Sequence, residues 1–247
     1  MKKILSLGTL ALLLMTGMAH ATLTTIGSAT YNGANYNLIW DDDNNGNSVV
    51  WLDYKHAKAE WAEQRAWAAS LDSALTINLN ADYTVSWEGS WRLPVSVDGP
   101  AVGGNGGPDA NGNYNHTTGY NLHNSEMGHL FYVELGNQGA FDTNGNFQSP
   151  FGLKNTGEFN NITGNNRDWY WSDTELSEDP TQAFLFMMDD GGQGLNYKTE
   201  PNPYGMDPNL FGLAVRTGQV SMVPVPGSIF LLGFGLTSLV GLCRRKR

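Results

Sequence analysis

Two apolar segments, one at each end of the chain, bound the part of this sequence that can fold in water. The first runs from Ile4 to Met15 behind Lys2 and Lys3, and the second runs from Gly227 to Leu242. The only cysteine, Cys243, follows the second segment. The body between them therefore has no disulfide, thiolate nucleophile or cysteine-ligated metal. It must be held together by a hydrophobic core, which about 200 residues are enough to build.

The first segment has the three parts of a secretory signal peptide. A basic head precedes a short apolar run, and the small residues Ala19 and Ala21 occupy positions −3 and −1 of a cleavage site. The apolar run is too short for a membrane anchor. The sequence predicts that the secretion machinery recognises residues 1–21 and that signal peptidase removes them.

The second segment follows a Pro-x-Pro sequence and ends in a basic cluster. The residues concerned are Pro224, Val225, Pro226, Arg244, Arg245, Lys246 and Arg247. At ~1.5 Å per residue the apolar run spans about 24 Å, which is less than the ~30 Å hydrocarbon core. The basic end would stay in the cytoplasm and leave the body outside. Residues 222–247 thus indicate a temporary membrane anchor that a processing enzyme recognises, with a plain C-terminal anchor as the alternative.

This tail resembles the PEP-CTERM class of protein-sorting tails, although Val225 stands where the named motif has Glu. The resemblance implies that an exosortase-type membrane enzyme cuts near the Pro-x-Pro sequence and releases or re-anchors the protein. We therefore expect export across the inner membrane, transient anchoring by the tail, and a final location at the cell surface or outside the cell.

The charge of the chain excludes one class of partner. Asp and Glu number 24 against 14 Lys and Arg, which gives a net charge of −10 at pH 7. An acidic surface repels nucleic acid and anionic lipid, so no nucleic-acid partner is expected.

Local patterns predict an α+β fold for the body, residues 22–221. Two β-rich runs, Tyr36–Trp40 and Val49–Tyr54, flank Asn45-Gly46 and predict a hairpin. Composition predicts a helix over residues 55–71, and Ser125 can cap a second helix that extends to Leu135. Further short strands are predicted at Trp169–Ser172, Ala183–Met188 and Leu213–Thr217, and residues 99–121 read as a long loop rich in Gly and Asn.

An ordered set of motifs in the body resembles the Lcl-type C-terminal domain, a family of largely unknown function. The motifs include Trp91-Arg92-Leu93-Pro94, Tyr170-Trp171-Ser172 and Ala214-Val215-Arg216-Thr217-Gly218. The resemblance implies a single C-type-lectin-like domain, related to formylglycine-generating enzymes, with a twisted antiparallel sheet, two helices and long loops. It also implies glycan binding, and the acidic body argues for a neutral glycan rather than a sulfated one.

Aromatic residues in polar loops are the candidate ligand-binding residues. Their rings can stack on sugar faces while nearby amides bond hydroxyl groups. They are Tyr114, Tyr120, Trp169, Tyr197 and Tyr204. The alternative is that these rings hold their own loops in place.

Other polar residues favour structural roles. Arg92 and Arg216 lie between apolar neighbours and are expected to pair with buried carboxylates or loop carbonyls, while Trp91 and Trp171 are expected in the core. A Glu126-x-x-His129 pair is weak evidence for a metal or an acid–base site, because it occurs once.

The run from Asp41 to Gly46 resembles the start of a calcium loop. Asp41, Asp43 and Asn45 are its candidate ligands, but position twelve is Leu52 where such a loop needs a bidentate acid. A polar hairpin turn is the preferred interpretation, so no cofactor or metal is predicted, with a weak Ca²⁺ site left open.

The sequence contains no recognisable catalytic motif, so we expect a non-enzymatic surface or matrix protein with no catalytic residues. Its ligand would be a neutral glycan of the exopolysaccharide. Two alternatives remain open. One is a glycoside hydrolase acting on that polysaccharide, and the other is a purely structural matrix protein.

Overall fold

The computed structural model describes residues 23–99, 118–200, 203 and 205–223. The strands in these residues are β1 (Leu23–Tyr31), β2 (Ala34–Asn44), β3 (Asn47–Ala59), β4 (Thr76–Leu79), β5 (Tyr83–Arg92), β6 (Trp169–Glu175), β7 (Gln182–Met187), β8 (Gln193–Tyr197) and β9 (Leu210–Met222). Helix α1 spans Trp61–Ala74, and α2 spans Glu126–His129 and continues as a π-helical turn over Leu130–Glu134.

The strands form one mixed sheet around β9. Their order is β4-β1-β2-β3-β9-β6-β7-β8, and β5 pairs with β9 beside this path. β9 pairs antiparallel with β3 along one side and with β5 along the other, where its first residues also meet β6 in parallel. Because β9 contacts three strands, the C-terminal end of the body holds the sheet together.

The hairpin between β2 and β3 forms where the sequence predicts it. Asn45 and Gly46 adopt φ angles of 53° and 81°, the left-handed values that a two-residue type I′ turn requires. The pairing shifts register between Asp41 and Asn44, which marks a bulge at the end of β2. This bulge turns the end of β2 towards α2, where Asn44 donates to the backbone of Glu126.

Both faces of the central strands are covered by apolar side chains. On one face Leu38, Leu52 and Ala214 belong to a core cluster that includes the buried residues of α1. On the other face Trp51 and Leu213 belong to a second cluster that includes α2 and the π-helical turn. Alternate residues of the same strands thus serve two cores, as the two-residue period of a strand requires.

The predicted α+β, C-type-lectin-like fold is wrong. The described residues are 46% strand and 13% helix, and they form a nine-stranded mixed sheet, so the fold is mostly β. The error has a physical cause. Strands β4 and β5 lie at edges of the sheet, and β1 lies next to β4. All three are half-exposed and carry many polar residues, so their apolar alternation is weak in the sequence.

The two predicted helices exist with different bounds. Residues 55–59 belong to β3, where Ala59 pairs with Leu210, so α1 begins only at Trp61. The second helix begins as predicted, with the Ser125 hydroxyl accepting a hydrogen bond from the Gly128 backbone N–H at 3.1 Å. Gly136 follows its end with a φ of 60°.

Several predictions concern residues outside the described part of the chain. They are the signal peptide with its cleavage site at Ala19 and Ala21, the sorting tail from Pro224 onwards, and most of the loop at 99–121. In the part that is described, no helix is long and apolar enough to cross a membrane.

Candidate functional site

A cavity of about 360 Å³ opens beside Trp169, at the start of β6. Its lining combines the indole with charged and amide groups and is formed by Lys58, Arg167, Trp169, Gly205, Met206, Asp207, Asn209 and Leu210. The cavity therefore offers an aromatic surface, hydrogen-bond donors and hydrogen-bond acceptors in one place.

Local hydrogen bonds fix the walls of this cavity. The Trp169 indole N–H donates to the Asp189 carboxylate at 3.1 Å, so the ring is held in one orientation. The Lys58 ammonium donates to the Arg167 carbonyl at 3.1 Å and lies 4.9 Å from the centre of the Phe211 ring. A wall fixed before a ligand arrives loses little side-chain entropy on binding.

The other predicted ligand-binding aromatics differ in their surroundings. Tyr120 is part-buried, and its hydroxyl donates to Asp190 at 3.0 Å while its ring packs on Phe141. Burial and the nearby negative charge of Asp190 hold the pKa of the Tyr120 hydroxyl well above its usual value. Tyr197 is half-buried in β8, opposite Gln182 of β7. Tyr114 and Tyr204 lie outside the described residues.

Trp169 and Tyr120 thus bind neighbouring carboxylates, those of Asp189 and Asp190, in the turn between β7 and β8. The structure brings these two candidates to one turn. Of the two, Trp169 also lines a cavity, whereas the Tyr120 hydroxyl is engaged by its own loop.

An exposed aromatic residue was missed by the sequence reasoning. Phe147 is 64% exposed, and its ring contacts those of Phe141 and Phe151 with centroid distances of 5.8 and 5.4 Å. The sequence signal was present, since Phe141 and Phe147 enclose a short segment rich in Asn and Gly. Phe147 does not line the Trp169 cavity.

A second cavity, of about 380 Å³, lies between α1 and β5 and includes Trp61 and Arg65 in its lining. Unlike the Trp169 ring, the Trp61 ring is not open for stacking by a ligand. The charged ends of Arg65 and Lys198 lie over it, 4.5 and 4.2 Å from its centre, and Trp61 is 5% exposed. This cavity is therefore the weaker candidate for an aromatic ligand platform.

The side chains of the three residues proposed as calcium ligands lie in different environments. Asp41 is fully buried, whereas Asp43 lies exposed at the hairpin and accepts a hydrogen bond from the Gly46 backbone N–H. The Asn45 amide donates to the backbone carbonyl of Ser125 at 3.3 Å. The side chain of Asp43 thus completes the predicted polar turn, while that of Asp41 belongs to another cluster.

That cluster joins Asp41 to His129 and Glu134. One ligand-type atom from each of the three side chains lies within 4.8 Å of the others, and His129 Nε2 is 3.2 Å from Glu134 Oε1. The π-helical turn is the reason that His129 and Glu134 meet. Its wider winding bonds residues five apart, and so brings two side chains five positions apart to one side.

Burial shifts the proton affinities in this cluster. Loss of hydration raises the pKa of Asp41 to about 6, against the opposing effect of hydrogen bonds from Asn44 and Trp51. Burial lowers the pKa of His129, but the hydrogen bond to Glu134 and the charge of Asp41 outweigh it, so the net shift is upward. Asp41 and His129 each favour the protonated form more than they would in water.

The pair Glu126-x-x-His129 does not act together. Both oxygens of Glu126 accept hydrogen bonds from the Arg92 guanidinium, at 2.6 and 2.7 Å, and one also accepts from the Val95 backbone N–H. The prediction that Arg92 pairs with a buried carboxylate or a loop carbonyl is confirmed, since its guanidinium binds the Glu126 carboxylate and also donates to the Leu93 carbonyl at 3.1 Å. Arg216 pairs with Asp72 at 3.0 Å, although Asp72 is partly exposed.

The tryptophans expected in the core are there. Trp91 and Trp171 are 1% and 0% exposed, and neither can stack on a ligand from solvent. This confirms the prediction for both residues.

Comparison of the chain with protein-family models, curated proteins and solved structures gave no match. The resemblances to PEP-CTERM tails and to Lcl-type domains therefore stay predictions.

Proposed function

We propose that this protein is exported, held briefly at the membrane by its tail, and acts at the cell surface or in the matrix by binding a neutral glycan. The observation that carries the proposal is the cavity in which Trp169 stands beside Asp207, Asn209 and Lys58. Sugars present apolar ring faces together with hydroxyl groups, and this lining offers a partner for each.

The charges around the cavity support a neutral ligand. Lys58 and Arg167 are cationic, but the carboxylate of Asp207 lies beside them. Hydrogen bonds from the Asn209 backbone N–H and side-chain amide and, to a smaller degree, the positive charge of Lys58 hold the pKa of Asp207 below its usual value. The whole protein carries a net charge of −10, so it repels polyanions at long range. A neutral polysaccharide is repelled neither by the Asp207 carboxylate in the cavity nor by the net negative charge of the protein.

The binding test uses exopolysaccharide purified from the cells that make the protein, together with an array of neutral oligosaccharides. Trp169→Ala should weaken binding at least about tenfold, which corresponds to about 1.4 kcal/mol for a lost stacking surface. Asn209→Ala, at an exposed position in the same cavity, should weaken it about three- to tenfold through a lost hydrogen bond.

Two substitutions at other exposed sites serve as matched controls for binding. Phe147→Ala removes an exposed aromatic ring, and Asn144→Ala removes an exposed loop amide. Both should leave the affinity within about twofold. Equal losses in all four variants would remove the Trp169 cavity from the proposal, and release of reducing sugar would replace binding by hydrolysis.

Export and sorting are tested by the intact mass of the protein recovered from its native cells and medium. We expect one cut after Ala21 and a second near Pro224–Pro226, each removing a segment of known mass. A mass that retains residues 222–247 would reduce the tail to an ordinary anchor, and a cytosolic protein with residues 1–21 intact would contradict export.

A further inference from the structure

We propose that Asp41, His129 and Glu134 bind a divalent first-row transition-metal ion, of which Zn²⁺ is the representative. The site joins the end of β2 to α2 and its π-helical turn. This inference does not rest on the glycan-binding proposal, because the two cavities described above are lined by other residues.

The first support is a pair of buried oxygens with unmet hydrogen-bonding capacity. Asp41 Oδ1 and Glu134 Oε2 are both buried without a hydrogen-bond partner. Asp41 is 0% exposed, and so is the side chain of Glu134. Native proteins seldom leave such atoms unpaired, and a bound ion is one of the few explanations when two of them belong to one cluster.

The second support is the charge of the cluster. With a neutral imidazole, the two carboxylates place a charge of about −2 in a buried site, which is costly without compensation. The Arg92 guanidinium is engaged by Glu126 in a two-point contact, and Asp43 adds further negative charge near His129. A divalent cation balances both carboxylates, whereas protonation of His129 balances one.

The third support is orientation by neighbouring groups. Asp41 Oδ2 accepts hydrogen bonds from the Asn44 amide at 2.8 Å and from the Trp51 indole N–H at 3.1 Å. The carboxylate is thereby fixed, and its other oxygen is the one left without a partner. In metal sites, hydrogen bonds to the oxygen that does not bind the ion commonly orient the carboxylate ligand.

The geometry lies close to that of a metal site. Ligands at ~2.0–2.2 Å from a tetrahedral ion are about 3.4 Å apart, and the three atoms here lie within 4.8 Å of one another. Side-chain rotations that shorten the longest of these separations would close the site. One imidazole nitrogen and two carboxylates suit Zn²⁺ and its neighbours, whereas Ca²⁺ prefers six to eight oxygen ligands.

The test uses the full chain, purified in detergent and stripped of metal with a chelator. Titration with ZnCl₂ should give one bound ion per chain and raise the Tm, because the ion binds the folded state. CaCl₂ at the same concentration should leave the Tm unchanged. Co²⁺ should give the visible absorption of an ion with nitrogen and oxygen ligands, which reports the site directly.

Matched variants assign the ion to these residues. Glu134→Gln keeps the size of the side chain and should weaken Zn²⁺ binding about 100-fold. The change is this large because Glu134 binds the ion itself, rather than forming a hydrogen bond to another ligand. Glu88→Gln and His123→Gln, at exposed positions, should leave the affinity unchanged. Wild-type protein that stays folded yet binds no Zn²⁺, or a Glu134→Gln variant that binds it equally well, would overturn the proposal.

Discussion

At the scale of single residues, the best-defined ion pair in the described part of the chain joins Arg92 to Glu126. The two terminal guanidinium nitrogens, Nη1 and Nη2, contact the Glu126 carboxylate. The Glu126 side chain is 9% exposed and that of Arg92 is 28% exposed. Arg92→Ala would leave a buried carboxylate without its cation. We expect a loss of about 2–3 kcal/mol in the free energy of unfolding, somewhat less than for a fully buried pair.

The matched control for this prediction is Arg65→Ala. Arg65 also pairs with a carboxylate, that of Asp173, but its side chain is 47% exposed, so solvent screens the interaction. Its loss should cost about 0–1 kcal/mol. Urea denaturation followed by tryptophan fluorescence measures both values, and equal costs would mean that burial does not determine the strength of the Arg92 pair.

The sequence could predict the type of partner for Arg92 but not its identity. A cation between apolar strand residues needs a carboxylate or a carbonyl as its partner, and this much follows from burial alone. The partner lies 34 residues away in the sequence, and no local spacing connects the two. The Asp41 cluster was missed for the same reason, because a strand end and a π-helical turn meet only in the folded chain.

At the scale of elements, the cap of α2 gives a second prediction. The Ser125 side chain accepts from the Gly128 backbone N–H and is 1% exposed, so Ser125→Ala would leave that donor unpaired in a dry environment. We expect a cost of about 1 kcal/mol. Ser73→Ala on the exposed side of α1 is the control and should stay within about 0.5 kcal/mol in the same denaturation assay.

The hairpin turn between β2 and β3 gives a third prediction. Gly46 has a φ of 81°, which side chains rarely adopt, and a Cβ there would contact nothing within 4 Å. The cost of Gly46→Ala is therefore conformational alone, about 1–2 kcal/mol. Gly194→Ala in β8 meets only ordinary contacts, the nearest at 3.6 Å, and should cost less. A cost for Gly46→Ala no greater than for Gly194→Ala would contradict the turn assignment.

Elements with strong local signals could be predicted from the sequence, and elements stabilised by distant contacts could not. The hairpin has Asn-Gly between two apolar runs, and α2 has a serine cap, so both were found. β5 alternates half-buried and exposed residues over Tyr83–Glu88 and carries Trp87 and Glu88 side by side. Its strand form depends on pairing with β9, more than a hundred positions along the chain, which composition does not encode.

At the scale of the whole molecule, the error in fold class has a second cause besides the weak apolar alternation of β1, β4 and β5. Helical composition in residues 55–71 and the capped segment at Ser125 were given equal weight with the strands. In the structure the helices are short covers on the two faces of a large sheet. Among the described residues their number is as predicted, but their share is smaller, because a cover needs only enough length to bury one face of the strands beneath it.

The two core clusters share β2, β3 and β9, and this arrangement predicts cooperative unfolding. Leu52 contributes to the cluster beneath α1 and Leu213 to the cluster beneath α2, and both are 0% exposed. Leu52→Ala and Leu213→Ala should each cost about 2–5 kcal/mol. Because the strands cannot lose one face and keep the other, both variants should unfold in a single transition.

This prediction is tested by comparing the denaturation curves that two spectroscopic probes record. Tryptophan fluorescence reports the buried indoles and far-ultraviolet circular dichroism reports the sheet, so the two denaturation curves should overlay in each variant. Val95→Ala, at a position 39% exposed, serves as the control and should leave the midpoint nearly unchanged. Separate transitions in Leu213→Ala alone would mean that the face carrying α2 and the Asp41 cluster unfolds independently, so that metal binding there would stabilise one face of the sheet rather than the whole body.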